Sequence, residues 1–107
     1  SLFDSAVNDQ LSAIQYSKVQ NQELHYLCAM AYMRLHQYAK GSEHLQKATA
    51  LAPKNLQNWF QWGECEFNLN NFANAVNIYT KALDLDKTLK DAYYKRGLAY
   101  IKTAQYK

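Results

Sequence analysis

The chain repeats itself at a displacement of 34 residues, and this repetition constrains its fold more than any other feature. At that shift His25 aligns with Trp59 and Tyr93, Ala29 with Gly63 and Gly97, and Tyr38 with Phe72 and Tyr106. Leu45 falls on Tyr79, Ala48 on Ala82 and Leu51 on Leu85. Aromatic, small and apolar residues held in fixed phase at such a period mark an array of helix-turn-helix units. No single unit can bury its own apolar face, so stacked neighbours bury it together. The expected fold class is all-α, a solenoid in which each helix packs on the ones beside it.

Within each unit the apolar residues recur at three- and four-residue steps, the spacing of one helix face. The pattern predicts first helices over 22–36, 56–69 and 90–103, and second helices over 38–52 and 72–86. Asn55 suits the N-cap before Leu56, Pro53 stops the helix ahead of it, and Thr88 with Asp91 reads as a capping box. Ala29 with Gly41, and Gly63 with Ala75, are small enough to let the two helices of a unit approach closely. Residues 2–16 form one more amphipathic helix, with Ala6, Val7 and Ala13 at second-helix positions, which brings the expected count to six.

The stretches WFQWGECEFNLNNFANAVNIYTKALDLD (59–86) and YYKRGLAYIKTAQY (93–106) resemble the tetratricopeptide repeat consensus. HYLCAMAYMRLHQYAKGSEHLQKATALAP (25–53) resembles it more loosely. The resemblance implies a right-handed superhelix with a concave inner surface. Residues 1–107 then form a single unit: a half repeat over 1–21, repeats over 22–55 and 56–89, and a partial repeat over 90–107. The sequence opens inside a helical pattern and stops in mid-repeat, so it reads as a piece of a longer protein whose targeting signals can lie elsewhere.

Composition narrows the function. Hydrophobic residues make up 49% with three Gly and one Pro, which suits packed helices and not disorder. The net charge of +3 is spread along the chain with no run of five like charges, too weak a field to imply a nucleic-acid partner. Helical repeats that read RNA share the architecture but lack this aromatic, small and proline pattern. Lysines 81, 87, 90, 95, 102 and 107 read as solvated helix faces. No stretch approaches the roughly 18 apolar residues of a membrane helix, so no membrane insertion is expected.

Chemistry needs convergent groups, and the usual spacings are missing. Gly41, Gly63 and Gly97 all fall inside helices, so no phosphate-binding loop is expected. Cys28 and Cys65 read as buried, unoxidised thiols, which points to a reducing, cytoplasmic setting. His25 reads as a packed histidine, His36 as a turn residue and His44 as part of a helix face, without metal-site spacing. The expectation is no enzyme, no metal and no cofactor.

The resemblance also implies a binding face. In this family partners touch the inner face of each first helix, which here carries Glu23, Tyr26, Leu27, Met30, Met33 and Arg34. It continues with Gln57, Phe60, Gln61, Glu64, Phe67 and Asn68, then Asp91, Tyr94, Lys95, Leu98, Ile101 and Lys102. Tyr26, Met30, Met33, Phe60, Phe67, Tyr94, Leu98 and Ile101 with Glu64 are the expected contact set. Steps of three and four put them on one face, an apolar stripe that needs a cover. The cover is either an amphipathic helix or extended segment of a partner protein, or further helices of the same protein. A spacer within a longer solenoid, without a ligand of its own, is the alternative function.

Family members that hold the acidic C-terminal tails of chaperones use a Lys and Asn clamp. The clamp positions here hold Tyr26, Met30, Gln61, Asp91 and Lys95, of which Lys95 alone fits fully. Such a tail is therefore not an expected ligand. Glu66 and Arg96 stand where neighbouring repeats carry aromatic or apolar residues, and a pairing between them is expected because a lone buried charge is costly.

Overall fold

A computed structural model describes residues 21–105 as five helices. They are α1 (Gln22–Arg34), α2 (Tyr38–Leu51), α3 (Leu56–Asn68), α4 (Phe72–Leu85) and α5 (Lys90–Gln105). The helix expected over residues 2–16 lies outside the described residues. Contact runs from each helix to its neighbour in sequence, α1 on α2, α2 on α3, α3 on α4 and α4 on α5. That chain of neighbours is the solenoid the period demanded, and the boundaries fall within a few residues of expectation.

The caps explain the boundaries. Asn21 accepts from the Leu24 N–H at 2.8 Å and Asn55 from the Gln57 N–H at 3.1 Å, each satisfying a first-turn donor. Both turns inside a repeat are Schellman motifs. Gln37 N–H donates to the Tyr32 carbonyl and His36 N–H to that of Met33; Asn71 and Asn70 repeat the pattern on Glu66 and Phe67. Each turn passes through one left-handed residue, His36 at φ 59 and Asn70 at φ 65.

Two expectations at the helix ends need correction. The hydroxyl of Thr88 donates to Asp86 at 2.6 Å, and the Thr88 N–H also goes to Asp86, so Thr88 belongs to an Asp-centred turn and not to a capping box with Asp91. The third first-type helix was expected to end at 103, yet α5 continues to Gln105. Ala104 stands where His36 and Asn70 turn the chain; alanine is the strongest helix former and resists the left-handed region.

The core is built between the two helices of each repeat and the next helix along. Ala29, Leu45 and Cys65 form one fully buried cluster. Phe72, Ala75, Tyr79, Leu83, Ala92 and Ala99 form another. Close approach is real at Gly63, where a Cβ would lie 2.7 Å from the Tyr79 ring. At Gly41 it would lie 3.2 Å from the Cys65 sulfur and 3.6 Å from the Ala29 carbonyl oxygen. Gly97, at the same repeat position as Gly63, has nothing within 4 Å of the corresponding point.

The Glu66–Arg96 pair is not formed. Glu66 is buried and accepts from Ser42 at 2.9 Å, the Trp62 indole at 3.3 Å and the Asn71 amide at 2.8 Å. Three neutral donors on surrounding segments replace the cation. Arg96 instead donates to the Thr80 hydroxyl at 3.2 Å and lies over the Tyr93 ring. The Asn71 amide is committed to Glu66, and Asn71 makes no side-chain cap on α4.

Candidate partner-binding groove

Helices α1, α3 and α5 are the first helices of their repeats, and each is amphipathic in the same sense. One face carries Cys28, Ala29, Tyr32, Cys65, Ala92 and Ala99, all buried between helices. The face adjoining it carries the expected contact set. Tyr26, Met30, Met33, Phe60, Glu64, Phe67 and Leu98 are half-buried, and Tyr94 and Ile101 are exposed at 67% and 56%. The stripe therefore has a gradient: α1 and α3 set their side chains partly into the core, while α5 does so at Leu98 and presents Tyr94 and Ile101 outward.

The half-buried members have defined supports. Tyr26, Met30 and Met33 lean on the Ala29–Leu45–Cys65 cluster, and Phe60 and Phe67 lean on the Phe72–Tyr79 cluster. Phe60 lies 5.8 Å from the Tyr79 ring and Phe67 meets Phe72 edge-on at 5.3 Å. These aromatic pairs fix the floor of the groove.

Glu64 is the charged member of the set. The Tyr79 hydroxyl, rising from α4 beneath, donates to its Oε1 at 2.5 Å. The Lys95 ammonium, from α5, lies 3.7 Å from its Oε2 and 5.4 Å from the centre of the Phe67 ring. Burial and then this hydrogen bond push the Tyr79 hydroxyl far above its ordinary pKa, so it remains a donor throughout the accessible pH range. Sequence reading placed Lys95 among the solvated lysines and missed the contact. The signal available was that Tyr79 replaces Leu45 in the repeat in which Glu64 replaces Met30, two polar changes at facing positions.

At one end the stripe opens into a cavity of about 290 Å³ lined by Gln22, Glu23, Tyr26, Asn55 and Gln57. Its wall is an amide network: Gln22 Oε1 accepts from Asn55 at 3.2 Å and from buried Asn58 at 2.9 Å, tying α1 to α3. Of the clamp positions, Lys95 faces Glu64, and Asp91 is exposed at the start of α5.

Outside the stripe the titratable groups are structural. Burial raises the Cys28 thiol to about 11 and the Cys65 thiol to about 12, which makes both poor nucleophiles. His25 and His44, read separately in the sequence, meet Nδ1 to Nδ1 at 3.0 Å across α1 and α2. Among the described residues no three His, Cys, Asp or Glu side chains gather as a metal ion would require. No described helix is long and apolar enough to cross a membrane.

Stacked helix pairs with an open stripe on their first helices define a helical-repeat module of the kind that packs against other chains. The tetratricopeptide repeat model matches residues 22–55 and a TPR repeat model matches residues 63–103. The chain belongs to the tetratricopeptide repeat family.

Among curated relatives, it is 32% identical over 77 residues to "FK506-binding protein 5" of Rhizopus delemar, covering 64% of this chain and 20% of that protein. Among solved structures it superposes on YrrB, a TPR protein with an unusual peptide-binding site, with a TM-score of 0.89 at 22% identity. That superposition covers 96% of this chain and 53% of YrrB. It also superposes on the first TPR of Spaghetti (RPAP3) bound to the HSP90 peptide SRMEEVD, with a TM-score of 0.86 at 22% identity, covering 95% and 80%. At these identities the superpositions establish the fold. The chain spans a fifth of the curated relative and about half of YrrB.

Proposed function

We propose that the chain is a protein-interaction scaffold whose inner stripe holds an apolar segment or amphipathic helix of a partner protein. The observation that carries this reading is the division of each first helix into a fully buried face and a face of half-exposed Tyr, Met, Phe, Leu and Ile. An apolar row of that extent, set on a rigid floor, suits helix-in-groove recognition. Methionines 30 and 33 add adaptability, since the thioether fits varied shapes.

An acidic chaperone tail does not suit this groove, although the Spaghetti neighbour holds one. Lys95 already faces a carboxylate, Asp91 repels a second, and Tyr26 and Met30 offer no ammonium or amide donor. A spacer within a longer solenoid is the second reading, favoured by the open side of α5 at Tyr93, Gly97 and Tyr100.

The test is charge placed in the stripe. Tyr94→Glu and Ile101→Glu, at exposed positions, are expected to abolish partner binding with helical circular dichroism and melting unchanged. Phe60→Glu and Leu98→Glu are expected to abolish it too. Phe60 also supports the core, so its melting temperature falls as well. Full binding by Tyr94→Glu and Ile101→Glu together would move the contact off the stripe, and absence of binding by the folded, unsubstituted chain would leave the spacer reading standing.

A further inference from the structure

The middle row of the groove runs Met30, Glu64, Leu98, one residue from each first helix at the same repeat position. A single carboxylate therefore stands between two apolar neighbours, and a carboxylate in such a place needs an account. Half of that account is structural. Tyr79 is fully buried and its hydroxyl needs an acceptor, which Glu64 Oε1 supplies; in the preceding repeat Leu45 takes the place of Tyr79 and Met30 that of Glu64. The account does not extend to Oε2. A neutral acceptor would serve Tyr79 equally well.

The surroundings of Oε2 have the composition of a cation site. Phe60 lies one turn before Glu64 on α3 and Phe67 one turn after, so the carboxylate is flanked by aromatic rings on its own helix face. The ammonium of Lys95 occupies that position now, 3.7 Å from Oε2, too far for a hydrogen bond, and 5.4 Å from the Phe67 ring centre. It is held by charge and by the ring face, two attractions that any ammonium or guanidinium would feel. Both side chains reach solvent, at 34% for Lys95 and 19% for Glu64, so the pair is loose and open to exchange.

We infer that Glu64 with Phe60 and Phe67 is a receptor for one basic side chain of the partner, an arginine or lysine within an apolar segment, and that Lys95 is its internal stand-in. Arginine fits best, because its planar fork can take Oε2 while its face stacks on a ring. The inference rests on the groove reading above and adds the chemistry of the central contact. Specificity follows from difference: an acidic residue at that point of the partner meets Glu64 unpaired, and an apolar one leaves the Glu64–Lys95 pair as it is.

The experiment uses the 107-residue chain and four capped amphipathic peptides of about twelve residues, identical except for a central Arg, Lys, norleucine or Glu. Fluorescence anisotropy is expected to rank Arg above Lys, Lys above norleucine, and Glu last, with Arg over norleucine by about fivefold. Glu64→Gln keeps an acceptor for Tyr79 and is expected to erase the Arg advantage while leaving the norleucine peptide unchanged. Lys95→Met removes the stand-in and is expected to enlarge the advantage. Equal binding of the Arg and norleucine peptides, or an Arg advantage that survives Glu64→Gln, overturns the cation site while the groove stands. Binding of none of the four overturns the groove reading, and the cation site with it.

Discussion

The contact between His25 and His44 shows how a single pair of nitrogens can set the acid limit of a repeat. Two Nδ1 atoms 3.0 Å apart hold one proton between them, so one ring donates and the other accepts. His44 also stacks on Tyr32 at 5.6 Å. Burial lowers the pKa of both rings, and Lys47 lowers each further; on His44 the charge of His25 adds to this and Glu43 opposes it. A histidine depressed in the folded state takes up protons first in the unfolded state, so stability is complete above the ordinary value of 6.5 and falls as pH drops below it. The melting temperature of the chain is expected to decrease between pH 7 and pH 5. His44→Gln, which removes one titrating ring and its charge on the other, is expected to flatten that decrease. Parallel profiles for the two proteins would refute the role of the pair.

At the scale of the element, two glycines at one repeat position are expected to answer the same substitution with opposite signs. Gly63→Ala drives a methyl group into the Tyr79 ring, whose hydroxyl is tied to Glu64, so relief requires moving a bonded side chain. Overpacking of this kind costs about 1–3 kcal/mol. Gly97→Ala meets open space inside a helix, where alanine is better than glycine by about 1 kcal/mol. Urea unfolding of the two variants checks both signs.

The helices themselves were legible in the sequence because the period, Asn55 and the small residues act locally or recur. What escaped were contacts assembled from separate helices. Glu66 takes one donor from Ser42 on α2, which joins Trp62 one turn back on its own helix and Asn71 in the turn that follows, and nothing in the spacing marks Ser42 as the third. Tyr79 with Glu64, and His25 with His44, escaped for the same reason. The expected contact set runs from half-buried on α1 and α3, and at Leu98, to exposed at Tyr94 and Ile101 on α5, a gradient that depends on which helices lie behind it.

At the scale of the whole array, contact among the described helices runs mainly between neighbours in sequence, so stability adds up largely interface by interface and opening proceeds from an end inward. Helix α3 lies in the middle of the five described helices, joined also to α1 through Asn58 and to α5 through Glu64, and is expected to open last among them. Cys28 on α1 and Cys65 on α3 are fully buried, with thiols too weakly acidic to react while covered. Their alkylation then requires local opening, and its rate counts those openings. Mass spectrometry of a maleimide time course is expected to show Cys28 modified well before Cys65, and simultaneous modification would mean that the repeats open as one body. The same two sulfurs that pack the interior thus form a clock with two hands, each timing the disassembly of its own repeat.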